Sequence, residues 1–129
     1  MRAVLAIIAA AALAAPAAAA QPAGDATRGE KIYERCAACH SLDVNRAGPK
    51  HRGLVGRTAG TVPGFNYSSA MKRSGLLWDE TTLDRFLANP LKAVPGTRMY
   101  VSVTDEQDRA DLIAFLKAAT PARESALGQ

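Results

Sequence analysis

The chain has 129 residues, with 16 Lys and Arg against 12 Asp and Glu for a net charge of +4, and its aromatic side chains are one Trp, three Tyr and three Phe. That length accommodates one domain rather than several. The charge excess is small and scattered, without a basic run or basic residues interleaved with aromatics, which excludes a nucleic-acid-binding chain.

Residues 1–20 have the layout of a secretory signal peptide. Arg2 supplies a positive charge, Ala3 to Ala15 an apolar run, and Pro16 to Ala20 a small-residue stretch whose Ala-x-Ala pattern places the cut after Ala20. A retained membrane anchor would need about 20 strongly apolar residues. This run is shorter, mostly Ala and interrupted by Pro16, so no stable membrane insertion is expected. The exported domain is then residues 21–129, in which the loss of Arg2 leaves 15 basic and 12 acidic side chains and a net charge of +3. Export into an oxidising compartment would join two free thiols unless other chemistry claims them.

Asp25 is placed to cap a first helix, on which Ala26, Gly29, Ile32, Tyr33 and Cys36 share one face. The helix delivers Cys36-Ala37-Ala38-Cys39-His40. Two thiols three residues apart, followed at once by an imidazole, are what covalent haem attachment needs. Cys36 and Cys39 add to the two vinyl groups, and the adjacent His40 comes to lie under the ring with a nitrogen for the iron. Other readings of the two cysteines fit less well. A dithiol redox motif requires a preceding strand in a βαβ setting, whereas the residues upstream read as helix. A structural zinc site requires four ligands; the candidates are these two Cys, His40 and His51, and His40 is crowded against Cys39. A disulfide between Cys36 and Cys39 leaves His40 without a role.

Residues 41–67 show neither helical nor strand periodicity over 27 positions. So long a loop is out of place in a small domain. It becomes reasonable if it wraps a large apolar cofactor that serves as the core, and the shortage of aromatics points the same way. Beyond it, Asp79 caps a second helix with Leu83, Phe86 and Leu87 on its buried side. That helix ends before Pro90, because proline disfavours the α conformation in the residue preceding it. Asn89-Pro90 restarts a short helical turn. Thr104-Asp105-Glu106-Gln107 reads as a capping box, followed by a last helix carrying Leu112, Ile113, Phe115 and Leu116 and stopping at Thr120-Pro121. No segment alternates long enough for a strand, so the expected fold is all-α with much irregular chain.

A haem with both axial positions filled needs a second ligand from across the ring, and His51, Met71 and Met99 are the candidates. His51 follows His40 by only 11 residues in a Gly-rich loop, which makes the opposite face hard to reach. Met71 sits in an amphipathic piece, residues 68–73, where a methionine is more often core filler. Met99 follows the turn-forming Pro95-Gly96-Thr97-Arg98, suited to holding a thioether in place. Spacing favours Met99 and leaves the other two open.

At this point the chain resembles a known family, class I cytochrome c, in its small soluble bacterial periplasmic type similar to the mitochondrial protein. The likeness runs from Gly24 to about Ala119. It is carried by Cys36-Ala37-Ala38-Cys39-His40, Ala47-Gly48-Pro49, Gly53-Leu54-Val55-Gly56-Arg57, Pro63-Gly64-Phe65-Asn66-Tyr67, Trp78, Asn89-Pro90, Pro95-Gly96-Thr97-Arg98-Met99 and Asp111-Leu112-Ile113-Ala114-Phe115-Leu116. The resemblance implies one covalently bound haem c, with His40 as one axial ligand and Met99 as the other. It also implies that the Pro49 carbonyl accepts from the second ring nitrogen of His40, and that Arg57, Tyr67 and Trp78 serve the haem propionates. Phe86 stands where mitochondrial relatives usually have Tyr, Met71 where they have Asn, His51 where Leu is common, and Val101 where an aromatic often covers the haem edge. With only five Lys in the chain, the Lys-rich rim of those relatives is thin.

The function expected is one-electron transfer by a monomer cycling Fe(III) and Fe(II) in the periplasm, and not enzymatic catalysis. Its partners are redox proteins, a membrane-bound reductase and an oxidase or reaction centre, in respiration or photosynthesis. The rival is a haem peroxidase or gas-binding protein in which Met99 is loose or absent from the iron.

Overall fold

A computed structural model of the chain describes residues 20–121. The expected signal peptide, apart from Ala20, lies outside them. Five helices occur among the described residues: α1 Ala26–Tyr33, α2 Ser69–Arg73, α3 Glu80–Ala88, α4 Pro90–Ala93 and α5 Glu106–Ala118. They include no strand, only an isolated antiparallel bridge between Thr58 and Leu77. The all-α expectation is met. No helix among them is long and apolar enough to cross a membrane.

Local chemistry sets most helix ends. The Asp25 carboxylate accepts from the Thr27 and Arg28 amides at 2.8 and 3.1 Å, satisfying donors that the first turn of α1 would leave orphaned. At α3 the capping box is reciprocal: Asp79 accepts from the Thr82 amide at 2.7 Å while the Thr82 hydroxyl accepts from the Asp79 amide at 2.9 Å. Asn89 is extended, as the residue before a proline should be, and its side chain accepts from the Lys92 amide at 3.0 Å to start α4.

Two expectations need correction. The first helix ends at Tyr33, with Glu34 as its C-cap, so Cys36 lies in the turns that follow rather than on the helix. The capping box at Thr104 does not form. Asp105 is the N-cap of α5, accepting from the Asp108 amide at 2.8 Å, because the Gln107 side chain is drawn to the distant Ala23 carbonyl at 2.8 Å and to Asp111, one turn on along α5, at 2.9 Å.

The terminal helices α1 and α5 make the main helix–helix contact, and α3 packs on α5 and α4. Glycine makes the α1–α5 approach possible: a Cβ on Gly29 would sit 2.0 Å from the Asp111 carbonyl oxygen. Beneath it Asp111 is fully buried. Its carboxylate accepts from the Asp25 amide at 2.7 Å and from the Gln107 amide, and pairs with Arg28, which compensates for the burial of its charge. Those bonds, with Asp25 foremost, hold its carboxyl below the ordinary aspartate value.

Leu112, Ile113 and Leu116 of α5 join Ile32, Tyr33, Leu54, Met71, Trp78, Leu83, Phe86, Leu87 and Val94 in one core. Met71 is buried there as filler. Residues 41–67 carry no helix but are far from loose. The Gly56 amide donates to Trp78 and the Trp78 amide to Arg57, at 2.7 and 2.9 Å, pinning the loop to the segment before α3. Gly56 makes that turn with φ of +87°, a conformation that costs a side chain about 1–2 kcal/mol.

Candidate haem site

After α1 the chain turns tightly. The Cys36 amide donates to Tyr33 at 2.8 Å, the Cys39 amide to the Cys36 carbonyl at 3.0 Å and the His40 amide to the same carbonyl at 2.9 Å. Those bonds bring two thiols and an imidazole onto one short run of turns. Both thiols are free, Cys36 partly buried and Cys39 exposed, so no disulfide competes for them. Burial pushes the Cys36 thiol up, with Arg35 opposing. It therefore stays protonated near neutrality.

The following loop folds back under the motif. Gly48 donates its amide to the Cys39 carbonyl at 2.7 Å, and the next residue, Pro49, presents its carbonyl 2.8 Å from His40 Nδ1. A carbonyl can only accept, so Nδ1 carries the proton and Nε2 keeps its lone pair. Burial holds His40 below the ordinary histidine value, partly opposed by that hydrogen bond. The ring is therefore neutral and in the tautomer a metal ligand requires. Gly48 is needed for close approach: a Cβ there would fall 2.3–2.7 Å from three atoms of the His40 ring.

His51 meets the same ring. Its imidazole stacks on His40 with centroids 4.0 Å apart and planes 22° apart. Rings that close leave no space for a porphyrin between them, so His51 is excluded as the ligand from the opposite face. Instead its Nδ1 shares a 3.1 Å hydrogen bond with the Tyr33 hydroxyl. Burial is the main cause that pushes its pKa down to about 3, with the Arg57 charge adding to it. Sequence reasoning missed this contact. The signal was available in Tyr33, a polar-tipped residue on the buried face of a helix, which needs a partner for its hydroxyl.

Met99 lies elsewhere, on the turn after α4. The buried Thr97 donates its amide to Val94 at 3.0 Å and accepts from the Met99 amide at 3.3 Å. Met99 itself is half-covered against the core, while Tyr100 and Val101 beside it are exposed. Arg57, Tyr67 and Trp78 form a third group. Backbone hydrogen bonding joins Arg57 to Trp78, and the Arg57 charge acts on the Tyr67 phenol, whose pKa is raised chiefly by burial. The Arg57 guanidinium donates to the Lys50 carbonyl at 2.9 Å, and the Tyr67 hydroxyl accepts from the Val62 amide at 3.2 Å. Trp78 is buried with its ring tilted on Phe86, centroids 5.1 Å apart.

Residues 26–120 match the family model described as Cytochrome c. The chain belongs to the cytochrome c family. It is 50% identical over 101 residues to cytochrome c2 of Rhodomicrobium vannielii, covering 75% of this chain and 81% of that protein. It is 47% identical over 98 residues to cytochrome c of Euglena viridis, covering 73% and 96% of the two chains. Among solved structures it is similar to cytochrome cH from Methylobacterium extorquens, with a TM-score of 0.72 and 44% identity over 74% of this chain and 99% of that one. As a cytochrome c, the chain is an electron carrier and not an enzyme, and it binds one covalently attached haem c. The residues in place fit that group: two free thiols, a neutral imidazole with one nitrogen left to donate, and a glycine where the ring needs room.

Proposed function

We propose that Cys36 and Cys39 hold haem c as thioethers, and that His40 Nε2 and the Met99 thioether bind its iron. The observation that carries this reading is the hydrogen bond from His40 Nδ1 to the Pro49 carbonyl, which presets the other nitrogen as a donor beside two free thiols. Haem c would supply a one-electron Fe(III)/Fe(II) couple, and a ligand set of one neutral thioether and one imidazole would favour Fe(II), raising the potential relative to two nitrogen ligands.

Arg57, Tyr67 and Trp78 serve the propionates. The Tyr67 hydroxyl accepts from Val62 and so keeps its own proton to give, Trp78 brings an indole N–H, and Arg57 a guanidinium. Such donors are what buried carboxylates require. The protein is exported under the direction of residues 1–20 and works in the periplasm as residues 21–129, a monomer. It carries electrons between redox proteins, a membrane-bound reductase on one side and an oxidase or reaction centre on the other.

Visible spectroscopy of the purified protein tests the ligand set. The ferric form should show the weak far-red band of sulfur-to-iron bonding and resist cyanide and carbon monoxide. Met99→Ala should abolish the band and admit cyanide, while Met71→Ala should do neither. Prompt cyanide binding by the unaltered protein would overturn the assignment and favour the haem peroxidase or gas-binding reading.

A further inference from the structure

One hydrogen bond does not fix a ring. Pro49 holds a single atom of His40, and hydrogen-bond geometry at a carbonyl is broad enough for the imidazole plane to tilt about that contact. We propose that Tyr33 and His51 form a positioning pair that sets the plane of the His40 imidazole. The inference rests on His40 being the iron ligand.

The stack at 4.0 Å and 22° closes the freedom that Pro49 leaves. A stack restrains its neighbour only if it is itself held, and His51 is held at two atoms. Its amide donates to the Ser41 carbonyl at 2.9 Å, and its Nδ1 meets the Tyr33 hydroxyl at 3.1 Å. The Tyr33 ring adds an edge contact, with centroids 5.7 Å apart at 63°. Tyr33 is anchored in turn, buried at the end of α1 with its ring 5.0 Å from that of Phe115 on α5. A contiguous set of packed rings thus runs from the α1–α5 contact to His40.

The chemistry suits the place. Burial keeps the Tyr33 hydroxyl protonated, its pKa pushed up to about 12, so it remains available for the hydrogen bond. A leucine at position 51 would fill space but leave that hydroxyl without its partner, and a lysine or arginine would set a cation against a ring that carries positive charge when it binds iron. His51 is polar enough for Tyr33 and flat enough for His40. It acts through His40 and is placed neither as a ligand nor as a proton carrier.

The test uses the ferric holoprotein, read by electron paramagnetic resonance and by the hyperfine-shifted haem methyl resonances, both of which report the plane of an axial imidazole. His51→Leu and Tyr33→Phe should each displace the methyl resonances and broaden the low-spin signal, with haem content and the far-red band retained. The double variant should show the displacement of His51→Leu alone, because Tyr33 acts only through His51. Unmoved methyl resonances in folded single variants, or displacements that simply add in the double variant, would overturn the pairing. Should His51→Leu fail to fold, Tyr33→Phe removes one oxygen, keeps the ring and still decides the question. If the unaltered protein lacks the low-spin signature and far-red band, the ligand assignment itself has failed, an outcome distinct from a normal parent with unresponsive variants.

Discussion

Gly29→Ala probes the tightest contact between helices. The added carbon would lie 2.0 Å from the Asp111 carbonyl oxygen, 2.6 Å from its carbonyl carbon and 2.9 Å from Phe115 Cβ. Carbon and oxygen settle no closer than roughly 3.3 Å, so α1 and α5 must part locally by about 1.3 Å. The obstacle is backbone, and no side-chain rotation relieves it. A gap of roughly 0.5–1 Å already forfeits a quarter to a half of the dispersion well between packed atoms. Ile32, Leu112, Ile113 and Leu116 are at most 8% exposed in the core that this contact closes. Burial of such a side chain contributes about 1.5–3 kcal/mol, so losing about a third of it at four positions removes about 3 kcal/mol. Alanine returns about 1 kcal/mol of helix propensity. The net loss of about 2 kcal/mol corresponds to a fall in Tm of roughly 8–16 °C for a domain of this size. Thermal unfolding of the holoprotein followed by far-ultraviolet circular dichroism measures it. A variant as stable as the parent, or more so, would refute the close-packed crossing.

Gly48→Ala should displace the His40 ring, whose atoms would lie 2.3–2.7 Å from the new carbon, and weaken the low-spin ferric spectrum; a parent-like spectrum would refute the cradle. Asp111→Asn tests the buried carboxylate through pH. Because its folded pKa lies below the unfolded value, the unfolded chain binds the extra proton first, so the stabilisation is present above about pH 4 and is lost as pH falls through the folded value. The stability gap between parent and Asp111→Asn should therefore narrow below about pH 4, and a gap that is constant with pH would show that the charge contributes nothing. Phe86→Tyr addresses the potential. If this buried side chain faces the Met99 sulfur, as the resemblance to mitochondrial relatives implies, a hydroxyl donating there would disfavour Fe(III). About 1.4 kcal/mol corresponds to about 59 mV, and only part of a net hydrogen bond of about 1 kcal/mol differs between redox states, so voltammetry should find a rise of roughly 10–40 mV. An unchanged or lower potential with Met99 bound would contradict that orientation.

Features that act over three or four residues were legible in the sequence. Asp25, Asp79 and Asn89 each cap the next turn through an oxygen a few atoms from the amide it accepts, and Pro90 constrains the residue before it wherever the chain goes. The motif at Cys36, Cys39 and His40 is legible for the same reason, since the proposed attachment of one haem has to be made by all three side chains within five residues. Where local reading failed, competing hydrogen bonds had intervened. Gln107 has the right spacing for a capping box with Thr104, but the Ala23 carbonyl and the Asp111 carboxylate take its amide, and Asp105 becomes the cap. Cys36 continues the apolar period of the first helix, yet hydrogen bonds to the third preceding residue tighten the chain after Tyr33.

The placement of His51 depends on contacts that no period contains. Its ring reaches His40 because Gly48 lets the loop close under the motif, and it stays there because Tyr33, 18 residues earlier, supplies a hydroxyl. Each residue taken alone has an ordinary explanation, Tyr33 as core and His51 as one more nitrogen in a loop. Taken together they are constrained, since a buried phenol and a half-buried imidazole each need a hydrogen-bonding partner and neither is covered by helix or sheet. Matching unsatisfied polar groups across the chain is thus the step by which sequence could have paired them. It would still have left the stack on His40 unseen, because a stack is set by shape, and shape here follows from how a glycine lets two stretches of backbone approach.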